Sequence, residues 1–336
     1  VNSTLIAGLE AGKHYNFHLT VGKDAVGISY VRVLDWDEED IDGGVAEEVT
    51  PTIDLSKYTD GETVNIAEDC RVIGDGNEYN LTLNVTDDAK VTFAAGASGV
   101  KLAAPITVAD GKTLTLTIRD NVEHIVNGGI SLGNGSNVII EGERNKENNK
   151  LTVTATGGNA GIGANNGVTA GDITIRNARV VATGSSTSDE SIDLVCGAGI
   201  GTSNGSMGNI LIENSIIVAE GGYYEYETPA PAIGMGEKNG IMGDITIVDS
   251  EITATNNGEG FASVIGAIDN DGIGTMGDIV ITNCELNLTM VITEADWYGA
   301  FIGPGLGGSS TQFNMGKIIF TDMTKEELDE MIATWN

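Results

Sequence analysis

The residues of this chain best suited to chemistry are its acids, which outnumber the basic residues 49 to 17 and give a formal charge of −32. Paired carboxylates are the usual machinery of glycoside hydrolysis. The most isolated pair is Asp269 and Asp271, in the run Asp269-Asn270-Asp271-Gly272. A polysaccharide lyase would also need a basic residue near such acids, but His14, His18 and His124 all lie far from this run in the sequence. We therefore expect a protein that is not an enzyme, and keep a lyase or hydrolase working through Asp269 and Asp271 as the alternative.

Several other acids of the second half belong to a repeat. A small residue or Met, then Gly, introduces the same apolar strand five times, as in Ala170-Gly171-Asp172-Ile173-Thr174-Ile175. The repeated glycines are Gly171, Gly208, Gly243, Gly277 and Gly316, which lie 34 to 39 residues apart. The residues that follow them form one column: Asp172, Asn209, Asp244, Asp278 and Lys317. Repetition at this period is typical of solenoids and propellers, so we interpret this column as structural.

A second column follows the repeated strand at a corner of each unit. Its members are Asn177, Asn214, Asp249, Asn283 and Asp322. Asn and Asp tolerate the left-handed backbone conformation and hydrogen-bond their own turn. If successive units stack as coils about 4.8 Å apart, the Asn amides can bond to one another along the stack. We expect these five residues to form a structural ladder.

Each unit contains three short apolar stretches, the first of them like Gly161-Ile162-Gly163. Alternate positions of the second stretch, such as Ile173 and Ile175, are β-branched and apolar, which is the pattern of a strand. Three short strands per unit, an Asn corner and stacked Ile columns resemble the parallel β-helix family. The resemblance implies an all-β, right-handed parallel β-helix, a fold that also hosts pectin lyases and polysaccharide hydrolases. The alternative is a β-propeller, whose blades have about four strands and their own signature.

The end of the chain has the features of a capping helix. Thr324 and Glu327 have the spacing of a capping box. Leu328, Met331, Ile332 and Trp335 then follow at helical spacing. A solenoid needs such caps because its terminal coil exposes unpaired strand edges. We predict a β-helix over residues 49–336 that a short helix over residues 324–335 closes.

The first 48 residues do not share the repeat. Residues 9–22 alternate apolar and polar side chains, and residues 26–33 lead into Leu34-Asp35-Trp36 and an acidic tail. This arrangement resembles the C-terminal strands of fimbrillin-like domains, which are pilus and adhesion subunits of Gram-negative bacteria. The resemblance implies an incomplete β-sandwich over residues 1–48, with the junction within residues 43–51. The alternative is a hairpin that packs directly on the β-helix.

Composition excludes several classes of function. The strong negative charge argues against nucleic-acid binding, because phosphates would be repelled. Cys70, Cys196 and Cys284 lie in dissimilar contexts, so they predict neither a metal motif nor a disulfide framework, and Cys284 is expected to be a buried thiol. The run Asp35 to Gly44 is rich in acids but lacks the closing acid of an EF-hand, and we interpret it as an acidic linker. We expect no metal, no cofactor and no membrane span.

Aromatic residues are scarce, at 5% of the chain, yet they cluster in the loops before the Gly-Ile-Gly-like strands. One loop contains Tyr223, Tyr224 and Tyr226, and the equivalent loop two coils later contains Trp297. Stacking of the coils should bring these four side chains together beside carboxylates, as a platform for sugar rings or a protein. Phe261 and Tyr298 are instead expected to cover the edge of the core.

These features together predict a bacterial adhesin or pilus-associated protein without enzymatic activity. The fimbrillin-like resemblance implies display outside the cell or on the outer-membrane surface, with a lipid anchor as one means of attachment and pilus subunits as partners. The β-helix would then present one face to a glycan or a host surface protein. A purely structural spacer is a third alternative.

Overall fold

The computed structural model describes residues 13–21, 26–35, 50–94, 98–186, 196–223, 229–236, 240–258, 262–268, 274–290, 300–305 and 314–333. The chain divides into two compact units, Val1–Pro51 and Thr52–Asn336. In the first unit, strands Lys13–Val21 and Val26–Asp35 pair antiparallel. Their register shifts between His18 and Leu19, which marks a β-bulge in an otherwise regular hairpin.

Three long sheets form the second unit. Sheet I has nine strands: Thr63–Ile66, Thr82–Val85, Ile106–Val108, Ile130–Leu132, Ile162–Ala164, Ile200–Thr202, Ile233–Met235, Ile265–Ala267 and Ile302–Pro304. Sheet II has ten: Thr52–Asp54, Cys70–Ile73, Ala89–Phe93, Thr113–Ile118, Asn137–Glu141, Ile173–Arg176, Ile210–Glu213, Ile245–Val248, Ile279–Thr282 and Ile318–Thr321. Sheet III has eight: Glu78–Tyr79, Lys101–Leu102, Glu123–Asn127, Lys150–Thr154, Arg179–Thr183, Ile216–Glu220, Glu251–Asn256 and Glu285–Met290.

The chain visits the three sheets in turn, so each circuit adds one strand to each sheet. Every strand pairs in parallel with the strand at the same position of the next coil, as Ile173 pairs with Ile210 and Ile210 with Ile245. This topology confirms the predicted parallel β-helix and excludes the propeller, whose blades radiate around an axis. The predicted right-handed sense of the coil stays a prediction.

The last three coils differ from the expected three strands by having a short fourth one. The short strands Ile241–Met242, Thr275–Met276 and Asn314–Met315 form their own parallel sheet just before sheet II. Met242 and Met276 in them are almost fully buried. Their long side chains reach the core from what the sequence suggested was a loop, which anchors this segment as a strand.

The core is a set of stacked aliphatic columns inside the coil. Ile173 and Ile175 of sheet II are fully buried, and so are the equivalent residues of the next three coils. Sheet I brings a column of glycines, among which Gly163 has a φ of 144°. A Cβ atom at Gly163 would lie 1.7 Å from the carbonyl oxygen of Gly201 in the next coil, so only glycine fits there. None of the described helices is long and apolar enough to cross a membrane.

The C-terminal helix spans Lys325–Ile332, with Thr324 as its N-cap residue. The predicted capping box is present: the Thr324 side chain accepts from the Glu327 backbone, and the Glu327 side chain accepts from the Thr324 backbone. Met331 is partly buried against the core, whereas Ile332 is 45% exposed. The helix thus covers the corner of the last coil with one side only. Trp335 of the predicted apolar stripe lies outside the described residues.

Two residues that precede the C-terminal helix complete the last coil. Ile318 is 42% exposed, although its equivalents in the inner coils are fully buried. Phe320 is partly buried and packs against the core. The end of sheet II therefore remains partly open to solvent beside the described part of the helix.

Candidate functional site

The column that starts with Asp172 joins successive coils through side chain to backbone hydrogen bonds. In each coil the Oδ1 atom accepts the backbone N–H of the residue at the same position one coil later. The donor–acceptor distances are 2.8 Å for Asp172 to Asn137, 2.7 Å for Asn209 to Asp172, 2.9 Å for Asp244 to Asn209, 2.8 Å for Asp278 to Asp244 and 2.6 Å for Lys317 to Asp278. We call this column the strand-start ladder. Its carboxylates stitch coils together.

The glycine that precedes each acid makes room for this ladder. A Cβ atom at Gly243 would lie 2.3 Å from Oδ1 of Asn209, and one at Gly277 would lie 2.1 Å from Oδ1 of Asp244. The same close approach occurs at Gly171, Gly208 and Gly316. The Gly and Asp of the repeat therefore act together, because the glycine leaves space for the side chain acceptor of the previous coil.

The second column, which we call the corner ladder, uses different hydrogen bonds. Its residues have positive φ values: 51° at Asn177, 44° at Asn214, 51° at Asp249, 49° at Asn283 and 56° at Asp322. Here the side chain Nδ2 of one coil donates to Oδ1 of the coil before, at 3.3 Å from Asn214 to Asn177 and 2.7 Å from Asn283 to Asp249. An Asp carboxylate has no such donor, so a rung is missing between Asn214 and Asp249.

Arg144 spans this missing rung. Its Nη1 atom donates to Oδ1 of Asn214 at 2.7 Å and to the carbonyl oxygen of Asp249 at 3.0 Å. Its Nη2 atom lies 2.7 Å from Oε1 of Glu251. The backbone of Arg144 is held in turn by Asn177, whose carbonyl accepts the Arg144 N–H, and by Arg179, whose Nε donates to the Arg144 carbonyl. Residues 142–149 form an insertion at this corner, between strands Asn137–Glu141 and Lys150–Thr154, where the next coil has only residues 177 and 178. Arg144 of this insertion therefore binds together four consecutive coils.

A groove of about 670 Å³ lies along this corner, between the corner ladder and the C-terminal helix. Its charged lining comprises the Arg144 guanidinium and five carboxylates, which belong to Asp249, Glu251, Glu285, Asp322 and Glu327. Cys284, Met323 and Met331 provide its apolar part. Such a lining favours cationic groups over anionic ones, but among the described residues no cluster of three His, Cys, Asp or Glu side chains has the geometry to hold a metal ion.

Of the four aromatic residues predicted to bind a ligand, Tyr223 is described by the structure. It is half-buried and lies against the loop of the next coil, because a Cβ atom at Gly258 would lie 2.6 Å from Cδ2 of the Tyr223 ring and 2.3 Å from Pro229. The loops that precede sheet I thus touch between successive coils. Tyr224, Tyr226 and Trp297 lie outside the described residues, as do Phe261 and Tyr298.

Of the acids and histidines considered for catalysis, His124 is the one whose surroundings the structure describes. Asp269 and Asp271 lie outside the described residues. His124 is fully buried: its Nδ1 accepts the Val100 N–H at 3.1 Å and its Nε2 donates to the Arg119 carbonyl at 3.0 Å. Burial lowers the pKa of His124, so the imidazole is held neutral at a corner of the coil. Both ring nitrogens serve the fold and neither is available to a substrate.

The carboxyl groups with shifted pKa values are also occupied by local contacts. Hydrogen bonds with Ser56, Asn77 and Lys112 lower the pKa values of Asp54, Asp75 and Asp87, respectively, and the Thr324 backbone does the same for Glu327. The pKa of Glu123 is also lowered: burial alone would raise it, but hydrogen bonds from Thr152 and Lys150 outweigh this effect. A general acid would need a raised pKa, and none of these groups has one.

All three cysteines are buried thiols outside any disulfide, and burial was predicted for Cys284. Burial, reinforced by the nearby charges of Asp69 and Glu68, raises the pKa of Cys70 to about 11. Burial also raises the pKa of Cys284, whose Sγ donates to the Thr282 carbonyl at 3.1 Å. Such thiols remain protonated at neutral pH and act as small core residues.

Comparison of the chain with protein-family models, with curated proteins and with solved structures gives no significant match.

Proposed function

We propose that this chain is a non-enzymatic adhesin or pilus-associated protein of the bacterial cell surface, in which the β-helix presents a glycan- or protein-binding face. The observation that supports it best is the use of the repeated acids. Each described carboxylate of the strand-start ladder accepts a backbone N–H of the next coil, as Asp172 does from Asn209. A row of acids that could have been catalytic instead builds a long, regular scaffold, and a regular scaffold suits the display of loops.

The loops before sheet I are the preferred binding surface. Tyr223 contacts the region of Gly258 in the next coil, so neighbouring loops of this row form one continuous edge. Tyr224, Tyr226 and Trp297 belong to the same row of loops in the sequence. Aromatic faces pack against the apolar C–H surface of sugar rings, and neighbouring carboxylates accept hydrogen bonds from hydroxyl groups. The cell-surface location rests on the fimbrillin-like resemblance of residues 1–48.

A glycan array tests this function directly. We expect the intact chain to be retained on a subset of glycans, and the double variant Tyr224→Ala, Trp297→Ala to lose most of that retention. Ile241→Ala is the control, because Ile241 is 63% exposed on another side of the coil and its loss should change nothing. Retention that survives the double substitution would refute the aromatic edge as the binding surface.

The enzymatic alternative depends on Asp269 and Asp271. It predicts new reducing ends or unsaturated products from acidic polysaccharides, and loss of these products in Asp269→Asn. A chain that shows neither glycan retention nor product formation would be a structural spacer.

A further inference from the structure

A second, smaller cleft of about 360 Å³ lies nearer the N-terminus, where sheet II meets the insertion that contains Arg144. It is formed at the coil whose corner residue is Gly142 in place of Asn or Asp. A Cβ atom there would lie 2.9 Å from Cγ1 of Ile118 and 3.3 Å from the Cα of Ala178, so a side chain at this corner would require Ile118 to shift. The corner ladder therefore starts one coil later, at Asn177, whose Nδ2 donates to the Gly142 carbonyl at 2.9 Å.

Thr117 lines this cleft and has an unpaired hydroxyl group. It occupies an outward-facing position of sheet II, between Thr92 and Glu141 of the adjacent coils. Thr113 and Thr115 on the same strand are half-buried, but Thr117 is only 6% exposed, and its Oγ1 has no hydrogen-bond partner. A buried hydroxyl without a partner is costly, so a polar atom in the cleft would stabilise it.

Arg119 gives the cleft a second unused donor. Its backbone is fixed, since the N–H donates to the Phe93 carbonyl and the C=O accepts from His124. Its guanidinium makes no ion pair among the described residues, whereas the other charges of the lining are paired. Nη2 of Arg176 lies 2.9 Å from Oε1 of Glu141, and Glu143 pairs with Lys146 at 2.6 Å.

We propose that this cleft binds a small hydroxy carboxylic acid of sugar size. Its carboxylate would accept hydrogen bonds from the Arg119 guanidinium and the Thr117 hydroxyl, and its hydroxyl groups would donate to the free oxygens of Glu141 and Glu143. The volume is at the lower end of that of small-molecule sites. The two arginines and two glutamates of the lining balance locally, and ions screen the more distant acids beyond about 8 Å. This site is separate from the proposed aromatic edge.

Calorimetric titration of the full chain with glucuronate, and with glucose as the matched neutral sugar, tests the proposal. The two sugars differ at one carbon, so we expect heat of binding with glucuronate alone. Arg119→Ala should weaken binding at least about tenfold, because it removes a charge-assisted hydrogen bond. Thr117→Val should weaken it about threefold to tenfold and leave the melting temperature unchanged or higher, since it removes only an unpaired hydroxyl.

Arg71→Ala is the matched control variant. Arg71 is exposed on the same outward column of sheet II, two coils before Thr117, and does not line the cleft. Its loss removes one positive charge from this face and should leave glucuronate affinity within twofold, an estimate based on the weak contribution of exposed charges.

Three results would overturn the proposal: no binding of glucuronate to the intact chain, equal binding of glucose, or unchanged affinity in both cleft variants. A structure at high resolution that shows only water on Thr117 in the presence of glucuronate would do the same. The glycan-array experiment uses Tyr224 and Trp297, so the two proposals can fail independently.

Discussion

The strand-start ladder and the corner ladder are both columns of Asn and Asp beside sheet II, yet they obey different chemical rules. In the first, the donor is a backbone N–H, which every residue type except proline has, so Asn137 and Asp172 serve equally well as acceptors. In the second, the donor is the side chain amide of the later coil, so Asn214 and Asn283 can form a rung but Asp249 cannot donate one. Replacing Asn by Asp therefore removes a hydrogen bond between coils only in the corner ladder.

This difference explains why a single arginine is placed where it is. The first coil-to-coil step of the corner ladder that ends on an Asp is that from Asn214 to Asp249, and there Arg144 supplies the missing donors. The strand-start ladder has two adjacent acids, Asp244 and Asp278, without any comparable insertion, because its rung is complete. A column built on backbone donors accepts Asn or Asp at each position, whereas in one built on side chain donors each Asp removes a rung. Arg144 replaces the rung at Asp249, and Asp322 of the last coil likewise cannot donate to Asn283.

The largest expected effect comes from blocking a strand-start rung. In Gly243→Ala, the new methyl group would collide with Oδ1 of Asn209, and we expect a loss of roughly 2–4 kcal/mol in the free energy of unfolding, measured with urea. Gly167→Ala is the control, since Gly167 has a φ of 74° but no atom within 4 Å of the added Cβ. It should lose only about 1–2 kcal/mol, the cost of the left-handed conformation.

The cause of the Gly243→Ala effect can be checked with a second substitution. Asn209→Ala removes the atom that the methyl group meets, so the double variant should lose less than the sum of the two single variants. An additive result would contradict this account, because it would show that Gly243→Ala destabilises the chain independently of the Asn209 acceptor.

A smaller loss of stability is expected from removing the hydrogen bonds that Arg144 makes at the corner. Arg144→Ala deletes the bonds to Asn214, Asp249 and Glu251, all three of which are charge-assisted because the guanidinium donates them. With the side chain 21% exposed, we expect a loss of about 1–2 kcal/mol in the free energy of unfolding. Lys146→Ala, which removes the exposed pair with Glu143, should change it by less than about 0.5 kcal/mol.

The smallest expected effect tests the difference between the two ladders most directly. Asp249→Asn gives the corner ladder the amide donor that it lacks toward Asn214, so Arg144 becomes partly redundant. The cost of Arg144→Ala should then fall by about 0.5–1 kcal/mol relative to its cost in the original chain. In the Asp244→Asn background, which alters the strand-start ladder, that cost should stay the same. Equal costs in all three backgrounds would mean that the two ladders follow one rule.

Sequence reasoning could predict the coil because its cause is local and periodic. Alternating Ile residues such as Ile245 and Ile247 predict a strand, and the repeat period places equivalent strands in neighbouring coils. The Thr324 capping box is likewise a short-range signal, and the helix begins where it predicts. The short fourth strand was missed because two-residue strands such as Thr275–Met276 have no period of their own.

The hydrogen bonds by which Arg144 links successive coils could not be predicted in the same way. Arg144 contacts residues 70 and 105 positions later in the chain, and it belongs to an insertion that occurs once. The signal that was present is subtler: the corner column changes from Asn to Asp at Asp249, and an Asp cannot donate. The cleft beside Gly142 was also missed, because its lining residues come from three consecutive coils and no motif in the sequence marks them.

Lys317 ends the strand-start ladder. Asn209, Asp244 and Asp278 each donate a backbone N–H to the coil before and offer a side chain acceptor to the coil after. Lys317 donates its backbone N–H to Oδ1 of Asp278 but has an ammonium group where its predecessors have an oxygen. The next coil would find nothing to attach to at this column. Changing Lys317 to Asn would restore the missing acceptor, and that substitution is where an engineer would begin to make a longer β-helix.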